Sequence, residues 1–295
     1  MQPNSKKGVI IVNPYGKQNL SLVQAERVKS EFALLGLNVP IIKTEELAYI
    51  IDKDKIISKY KGLDFAVYLD KDKYFSEVLT TLGVKLFNNH NAVRVCDDKG
   101  RTYIALASNG IKVPKTILAP LCYVENQQID ERSAQQIASE LGYPLIVKES
   151  YGSLGLGVYM AKNQAELLSL MHVLKLKPHL YQEYIGTKVG EDIRVILIGG
   201  RVVASMKRKN PNDFRSNVYQ GGLGEKVMLP KSYIETCEKV AKLLNLDYCG
   251  IDLLEDGTSV PVVCEVNSNA FFEGIEKATG VNVAKTYAEY IIKNI

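Results

Sequence analysis

At 295 residues, with 46% hydrophobic and 24% charged side chains, the chain has the composition of a folded globular protein long enough for about two domains. A formal charge of +4, from 37 basic and 33 acidic residues scattered without basic runs, gives no reason to expect nucleic acid as a partner. The five cysteines form no CxxC pair, the start MQPNSKKGVIIVN lacks a signal-peptide layout, the three histidines sit in no HxxxH or HxE context, and no apolar run reaches the ~18–20 residues of a membrane span. Together these point to a cytoplasmic protein with reduced thiols, no zinc site and no membrane partner.

In chain order, GVIIVN at 8–13, a helical spacing through Leu22, Ala25, Val28, Phe32 and Leu35, and NVPII at 38–42 read as strand, helix, strand. FAVYL at 65–69, an apolar-spaced stretch at 74–82 and VKLF at 84–87 extend this into a small α/β layer on a parallel sheet. Residues 98–107 look helical and are stopped by Gly110 and Pro114, near which a second domain begins. A helix at 133–141 closes on Gly142. YPLIVKE at 143–149, a Gly-rich turn at 151–157 and VYMA at 158–161 then form a hairpin with a mobile tip. A helix at 164–174 and a strand at 179–185 follow, and from Ile193 the pattern is β, with Gly199 and Gly200 as a hairpin turn. Beyond a polar loop at 209–224 come a helix at 234–244, a hairpin of 249–254 and 262–266, and a last helix through Val283, Tyr287, Tyr290 and Ile291.

Gly152, Gly155 and Gly157 would let backbone N–H groups approach a polyphosphate, although three glycines in a hairpin tip also describe plain flexibility. The loop has no GxxxxGK[ST] and sits between strands, so it is neither a Walker loop nor a dinucleotide fingerprint. Lys148 ends the strand before it, where an ammonium could neutralise a phosphate or face solvent. Glu183 and Tyr184 place a carboxylate and a ring beside apolar neighbours, a grouping suited to an adenosine pocket. Asp192, after a turn, could reach ribose hydroxyls or cap a nearby N–H.

Glu265 and Asn267, two apart on a strand, project from one face, and their oxygens suit a hard cation such as Mg²⁺. Asp252 completes the set only in one register. A two-residue turn at Asp256 and Gly257 would put Asp252 opposite Pro261, about 13 Å from Glu265 at ~3.3 Å per residue. A loop spanning roughly 256–261 puts Asp252 opposite Glu265, and Pro261, which cannot donate to a ladder, favours it. Arg208 and Arg215 stand out in the loop that the preceding hairpin presents toward this strand, where a guanidinium could clamp phosphoryl or carboxylate groups.

These residues resemble the ATP-grasp ligases and, among them, the RimK-type amino-acid (α-L-glutamate) ligases. The resemblance runs in ordered blocks from Lys99 through YPLIVK at 143–148, QEYI at 182–185, EDIR at 191–194, GGRVVASMKR at 199–208, FRSN at 214–217, Gly221–Gly222, GIDLL at 250–254 and EVN at 265–267 to EGIEKATG at 273–280. It implies an α/β and α+β chain with an ATP-grasp fold: an N-terminal α/β domain over 1–95, a central subdomain with the lid over 96–180, and a C-terminal antiparallel-sheet subdomain over 181–295. It further implies that Lys99, Lys148, Gly152, Gly155 and Gly157 meet the phosphates of ATP, that Glu183 and Tyr184 line the adenine, and that Asp192 reaches the ribose. Arg215, Ser216 and Asn217 approach the phosphates, Arg208 and Arg215 act on a developing acyl phosphate, and Asp252, Glu265 and Asn267 hold two Mg²⁺ or Mn²⁺ ions.

The implied reaction joins an amino acid, with glutamate favoured, to the carboxylate of a protein C-terminus, a carrier protein or a small molecule, releasing ADP and phosphate. Homo-oligomerisation is compatible with it. Two other readings stay open: a dipeptide or small-molecule ligase of the same fold, and a non-catalytic nucleotide-binding protein. Many relatives run Ala-Ser-Pro-Gly after EVN, whereas this chain has SNAFF at 268–272, a segment expected near the substrates.

Overall fold

The structure, a computed structural model, describes residues 6–15, 20–45, 48–216 and 223–295, so Asn217 and the glycines 221–222 lie outside the described residues. The first part contains β1 (Gly8–Val12), α1 (Leu20–Leu34), β2 (Ile41–Lys43), a hairpin of β3 (Ile50–Asp52) and β4 (Lys55–Ile57), β5 (Phe65–Leu69), α2 (Lys73–Thr81) and β6 (Lys85–Phe87). Its main sheet has the order β2-β1-β5-β6, with every pair parallel. All residues of β1 and β5 are buried, as in a sheet covered on both faces. Alternate residues divide the work: Ile10, Val12, Phe65, Val67 and Leu69 face one core, and Val9, Ile11, Ala66 and Tyr68 the other. Gly8 has a local cause, since a Cβ there would lie 2.0 Å from the Phe65 ring.

Two further helices, α3 (His90–Asp97) and α4 (Lys99–Ala107), lead to a second sheet. It contains β7 (Thr116–Leu118), β8 (Leu145–Glu149), β9 (Val158–Ala161) and β10 (His179–Glu183) in the order β7-β10-β8-β9, covered by α5 (Glu131–Leu141) and α6 (Gln164–Leu174). Leu145, Val147 and Tyr181 pack beneath these helices, which turns Ile146, Lys148 and Gln182 to the opposite face. The expected division after residue 180 falls inside β10. That strand pairs along its length with β8 and also with β7, so the sheet keeps it whole.

The last part holds β11 (Glu191–Ile198), β12 (Arg201–Lys209), β13 (Leu223–Lys226), α7 (Lys231–Leu243), β14 (Tyr248–Leu254), β15 (Val262–Asn267), α8 (Glu273–Thr279) and α9 (Val283–Asn294). Its sheet, ordered β13-β12-β11-β14-β15, is antiparallel throughout. On one face Ile193, Val195, Leu197, Cys249, Ile251 and Leu253 pack with α7. On the other, Ile196, Ile198, Ala204, Met206 and Tyr248 join α9 and the N-terminal strands in a continuous core, so the first and last parts of the chain are welded together. Among the described residues no helix is long and apolar enough to cross a membrane.

Asn88 stitches this weld. Its Nδ2 donates to Tyr248 O at 2.6 Å and Ser268 O at 2.8 Å, and its Oδ1 accepts from the backbone N of Asp247 at 2.6 Å and of Tyr248 at 3.0 Å. The side chain is 1% exposed, so no water can replace these bonds. Asn88→Ala is expected to cost about 3 kcal/mol of stability, read as a lowered urea midpoint at unchanged m-value.

Candidate active site

The Gly-rich tip joins β8 to β9 as an antiparallel hairpin in which Lys148 pairs with Val158. Gly152, Gly155 and Gly157 have φ of +135°, +75° and +71°, conformations that side chains disfavour, and a Cβ on Gly157 would also lie 3.1 Å from Glu149. The tip is held by a cation on either side. Lys99 Nζ, from the start of α4, donates to Gly152 O at 3.0 Å, and Arg215 Nη1 donates to Gly155 O at 3.1 Å.

Beneath the tip lies a cavity between the central and C-terminal sheets. It is lined by Lys99, Lys148, Gly152, Gly155, Glu183, Tyr184, Asp192, Arg215, Ser216, Asp252 and Glu265, so most of the expected nucleotide residues converge there. Gly157 and Asn267 are not among its lining, and Asn217 is outside the described residues. Along β8 the cavity face changes character. Ile146 lies opposite Gln182, next to Glu183 and Tyr184, and Lys148 follows about 7 Å on toward the lid. Lys148 faces inward at 8% exposure, not outward to solvent, with Nζ 3.3 Å from Tyr103 Oη and 3.6 Å from Cys264 Sγ. Glu183 is fixed by accepting from Lys115 N at 2.8 Å. Lys99 lies 3.9 Å from Glu265, and burial pulls its pKa below the usual lysine range against that carboxylate.

The floor is the charged end of the sheet face that further along packs against α9. β14 ends at Leu254 and β15 starts at Val262, so the connecting loop is the longer of the two considered, and Asp252 pairs with Glu265. A register shift just beyond, between Asp252 and Leu253, accommodates Cys264 as a bulge. Across the sheet Asp252 also lies opposite Arg194, and Asp192 opposite Arg208. Arg208 is therefore a β12 residue, 4% exposed, and not part of the loop.

The result is a buried chain of charges. Arg208 Nε donates to Asp192 at 2.7 Å and its Nη2 also bonds Asp192, while the same Nη2 lies 3.0 Å from Asp252 Oδ2. Arg194 grips Asp252 bidentately through Nε and through Nη2 at 2.7 Å. Asp192, expected at a ribose, thus has both oxygens bonded to Arg208. Arg215 pairs with Asp213 at 2.7 Å in the loop after β12. Arg194 is the residue that sequence reading left without a role. Its alternation with Asp192 was the available signal, but only the register shows what it faces.

Glu265 and Asn267 open onto a second cavity, which Glu265 and Ser153 share with the first. Its walls come from Arg194, Met206 and Arg208 on the sheet, Asn269 to Phe271 and Glu273 after it, and Asn13, Asp70 and Lys71 on the N-terminal part. The oxygens of Asp252, Glu265 and Asn267 suit a hard cation in kind. Among the described residues no group of three or more His, Cys, Asp or Glu is arranged for a metal, and both Asp252 oxygens are engaged by arginines. Glu265, which also pairs with Lys99, and Asn267 line the second cavity and could hold an ion there, with Asp252 as a third oxygen ligand only if it is shared with its arginines.

The model of the RimK-like ATP-grasp domain matches residues 96–291. The chain belongs to the RimK-like ATP-grasp family. A probable alpha-L-glutamate ligase from Psychromonas ingrahamii is 32% identical over 292 residues, 94% of each chain. The beta-citrylglutamate synthase B of Danio rerio is 33% identical over 228 residues, 77% of this chain and 55% of that protein, so the chain spans about half the length of that relative. In fold, this RimK-like ATP-grasp chain is similar to a D-alanine–D-alanine ligase from Bacillus anthracis complexed with ATP, with a TM-score of 0.73 over 98% of this chain and 96% of that one at 18% identity. Its relatives are ligases and synthases, and this RimK-like ATP-grasp protein is an enzyme of the ADP-forming ligase class.

Burial alone would raise the Asp252 carboxyl, and the Arg194 and Arg208 guanidinium groups overcome that and hold it below the usual carboxylate range. The stabilisation that follows is complete above the unfolded pKa of about 4 and is lost as pH falls from there through the folded value. Wild type should therefore exceed Asp252→Asn by about 3 kcal/mol at neutral pH, with the gap in denaturant unfolding constant above about pH 5 and closing below about pH 4.

Proposed function

We propose that the protein joins an amino acid, with glutamate favoured, to an acceptor carboxylate through an acyl-phosphate intermediate. The observation that carries this reading is that two cavities meet at Glu265 and Ser153, one lined as a nucleotide site and the other floored by Arg194 and Arg208. Adenine fits between Ile146 and the Glu183–Tyr184 segment, and the polyphosphate then runs toward Lys148, Lys99, Arg215 and the glycine tip. Lys99 and Arg215 already bond lid carbonyls, so the cations that hold the lid are also the ones positioned to meet the phosphates beneath it. Mg²⁺ or Mn²⁺, as two ions, would be held by Glu265, Asn267 and Asp252 and would neutralise phosphate charge.

An acceptor carboxylate oxygen in the second cavity takes the terminal phosphoryl group as ADP leaves. The amino nitrogen then bonds the acyl carbon, phosphate departs and the nitrogen loses a proton. No protein nucleophile is needed, since positioning and charge stabilisation supply the rate. Arg208 and Arg194, pinned by Asp192 and Asp252, would present their remaining N–H groups to the carboxylate without reorganising. Glutamate is favoured because it appears in the names of relatives that match this chain. Five free cysteines support a reducing, cytoplasmic setting.

Amino acids screened against carboxylate acceptors should give ADP and phosphate only when both are present, with Glu265→Gln lowering turnover about a hundredfold. Phosphate release indifferent to either substrate, or AMP as the product, would sink the ligase reading. Turnover with D-alanine alone would point to a dipeptide ligase.

A further inference from the structure

The N-terminal wall of the second cavity carries an unusual carboxylate. Asp70, 5% exposed, directly follows β5 and lines the cavity. Among the described residues its donors are uncharged: Asn13 Nδ2 at 3.0 and 3.2 Å, and the backbone N of Lys71 at 2.6 Å and of Asp72 at 3.3 Å. Three of these four contacts fall on Oδ1, which leaves Oδ2 with a single long one. A buried carboxylate without a cation is costly. Burial accordingly pushes its pKa up, against the pull of the Asn13 amide. The neighbouring cation does not relieve it, because Lys71 turns to Asp97 at 3.6 Å.

Asn13 and Asp70 stand at the carboxyl ends of the adjacent parallel strands β1 and β5, where ligands of open α/β sheets gather. Lys71, the next residue, lines the same cavity with its side chain 29% exposed. A carboxylate with no cation beside it among the described residues thus sits next to a lysine that lines the same cavity while paired with Asp97, an arrangement complementary to a zwitterion whose carboxylate would share the Lys71 ammonium. This wall lies wholly outside the matched domain, which starts at residue 96.

We propose that Asp70 and Lys71 form the recognition subsite for the incoming amino acid, Asp70 with Asn13 receiving its ammonium group and Lys71 its α-carboxylate. The subsite rests on the ligase reading above for its role in the reaction. The bound ammonium supplies a cation that no described residue gives Asp70, and the acyl phosphate to be attacked would form on an acceptor held by Arg194, Arg208 and Glu265, which line the same cavity.

The test is calorimetric titration of L-glutamate into the full chain saturated with magnesium and a non-hydrolysable ATP analogue. Glutarate serves as the probe lacking the ammonium and γ-aminobutyrate as the probe lacking the α-carboxylate. Asp70→Asn preserves the shape and the acceptor for Lys71 N but removes the charge. It should weaken L-glutamate by about tenfold or more while leaving glutarate and the ATP analogue within about twofold. Lys71→Met should weaken L-glutamate while sparing γ-aminobutyrate.

Absence of L-glutamate binding to wild type, an unchanged affinity in Asp70→Asn, or a parallel loss for glutarate would each overturn the subsite. Phosphate release separates it from the ligase reading. Glutamate-dependent release indifferent to Asp70→Asn removes the subsite and leaves the ligase. Charge-selective binding without release by any amino acid removes the ligase and leaves the subsite.

Discussion

The chain Asp192–Arg208–Asp252–Arg194 lies almost wholly out of water across three strands, and each member is tolerable there only because its neighbours cancel its charge. Two guanidinium forks against two carboxylates leave the row neutral while fixing the geometry at both ends. The row also fixes the sheet. A slip of one residue between β11 and β14 would drive Arg194 or Asp252 onto the face packed with α7, where nothing could pair it. Glu265 and Asn267 inherit their positions from that constraint, because β15 is registered on β14.

Both cavities are arranged around this row. Asp252 and Asp192 border the first, Arg194 and Arg208 the second, and Glu265 belongs to both. Gly250 makes room for the arrangement. A Cβ there would lie 2.5 Å from Ala270 Cβ and 3.2 Å from Arg194 Nη1, so the absent side chain is what lets Arg194 lie over β14 with the 268–272 segment above it. The central sheet adds the lid and its lysine from one side. The N-terminal sheet, fused to the C-terminal one through α9 and Asn88, supplies a fixed wall on the other. Since the N-terminal and C-terminal sheets share one core, lid movement is most easily accommodated by the central sheet, whose apolar core under α5 and α6 is its own.

Most long elements were legible because burial imposes a period on sequence. FAVYL reads as a buried strand and is one, and the spacing through Val28 and Phe32 reads as a helix and is one, with Val28 and Phe32 buried. The short elements β3, β4 and β7 were not, since three residues each are too few for a period. Pro261 made the hairpin register readable by favouring the longer loop over a tight turn. Arg208 shows the opposite case, since nothing local distinguishes a solvated arginine from one buried between two aspartates. Asn13, Asp70 and Lys71 carry no motif at all, and acquire meaning only because parallel strands bring their carboxyl ends together.

The sequence by itself determined the family, the three kinds of sheet segment, the glycine tip with Lys148 before it, and the pairing of Glu265 with Asn267 on one face. These depend on periodicity, on glycine's freedom at positive φ and on ordered blocks, all of which are local. Tertiary structure alone decided that Asp252 and Asp192 are held by arginines, that Lys99 and Arg215 hold the lid, and that Asp70 is buried beside an open cavity with no cation on it among the described residues. Those are statements about dielectric surroundings and cross-strand neighbours, and a charge acquires either only when distant segments close over it.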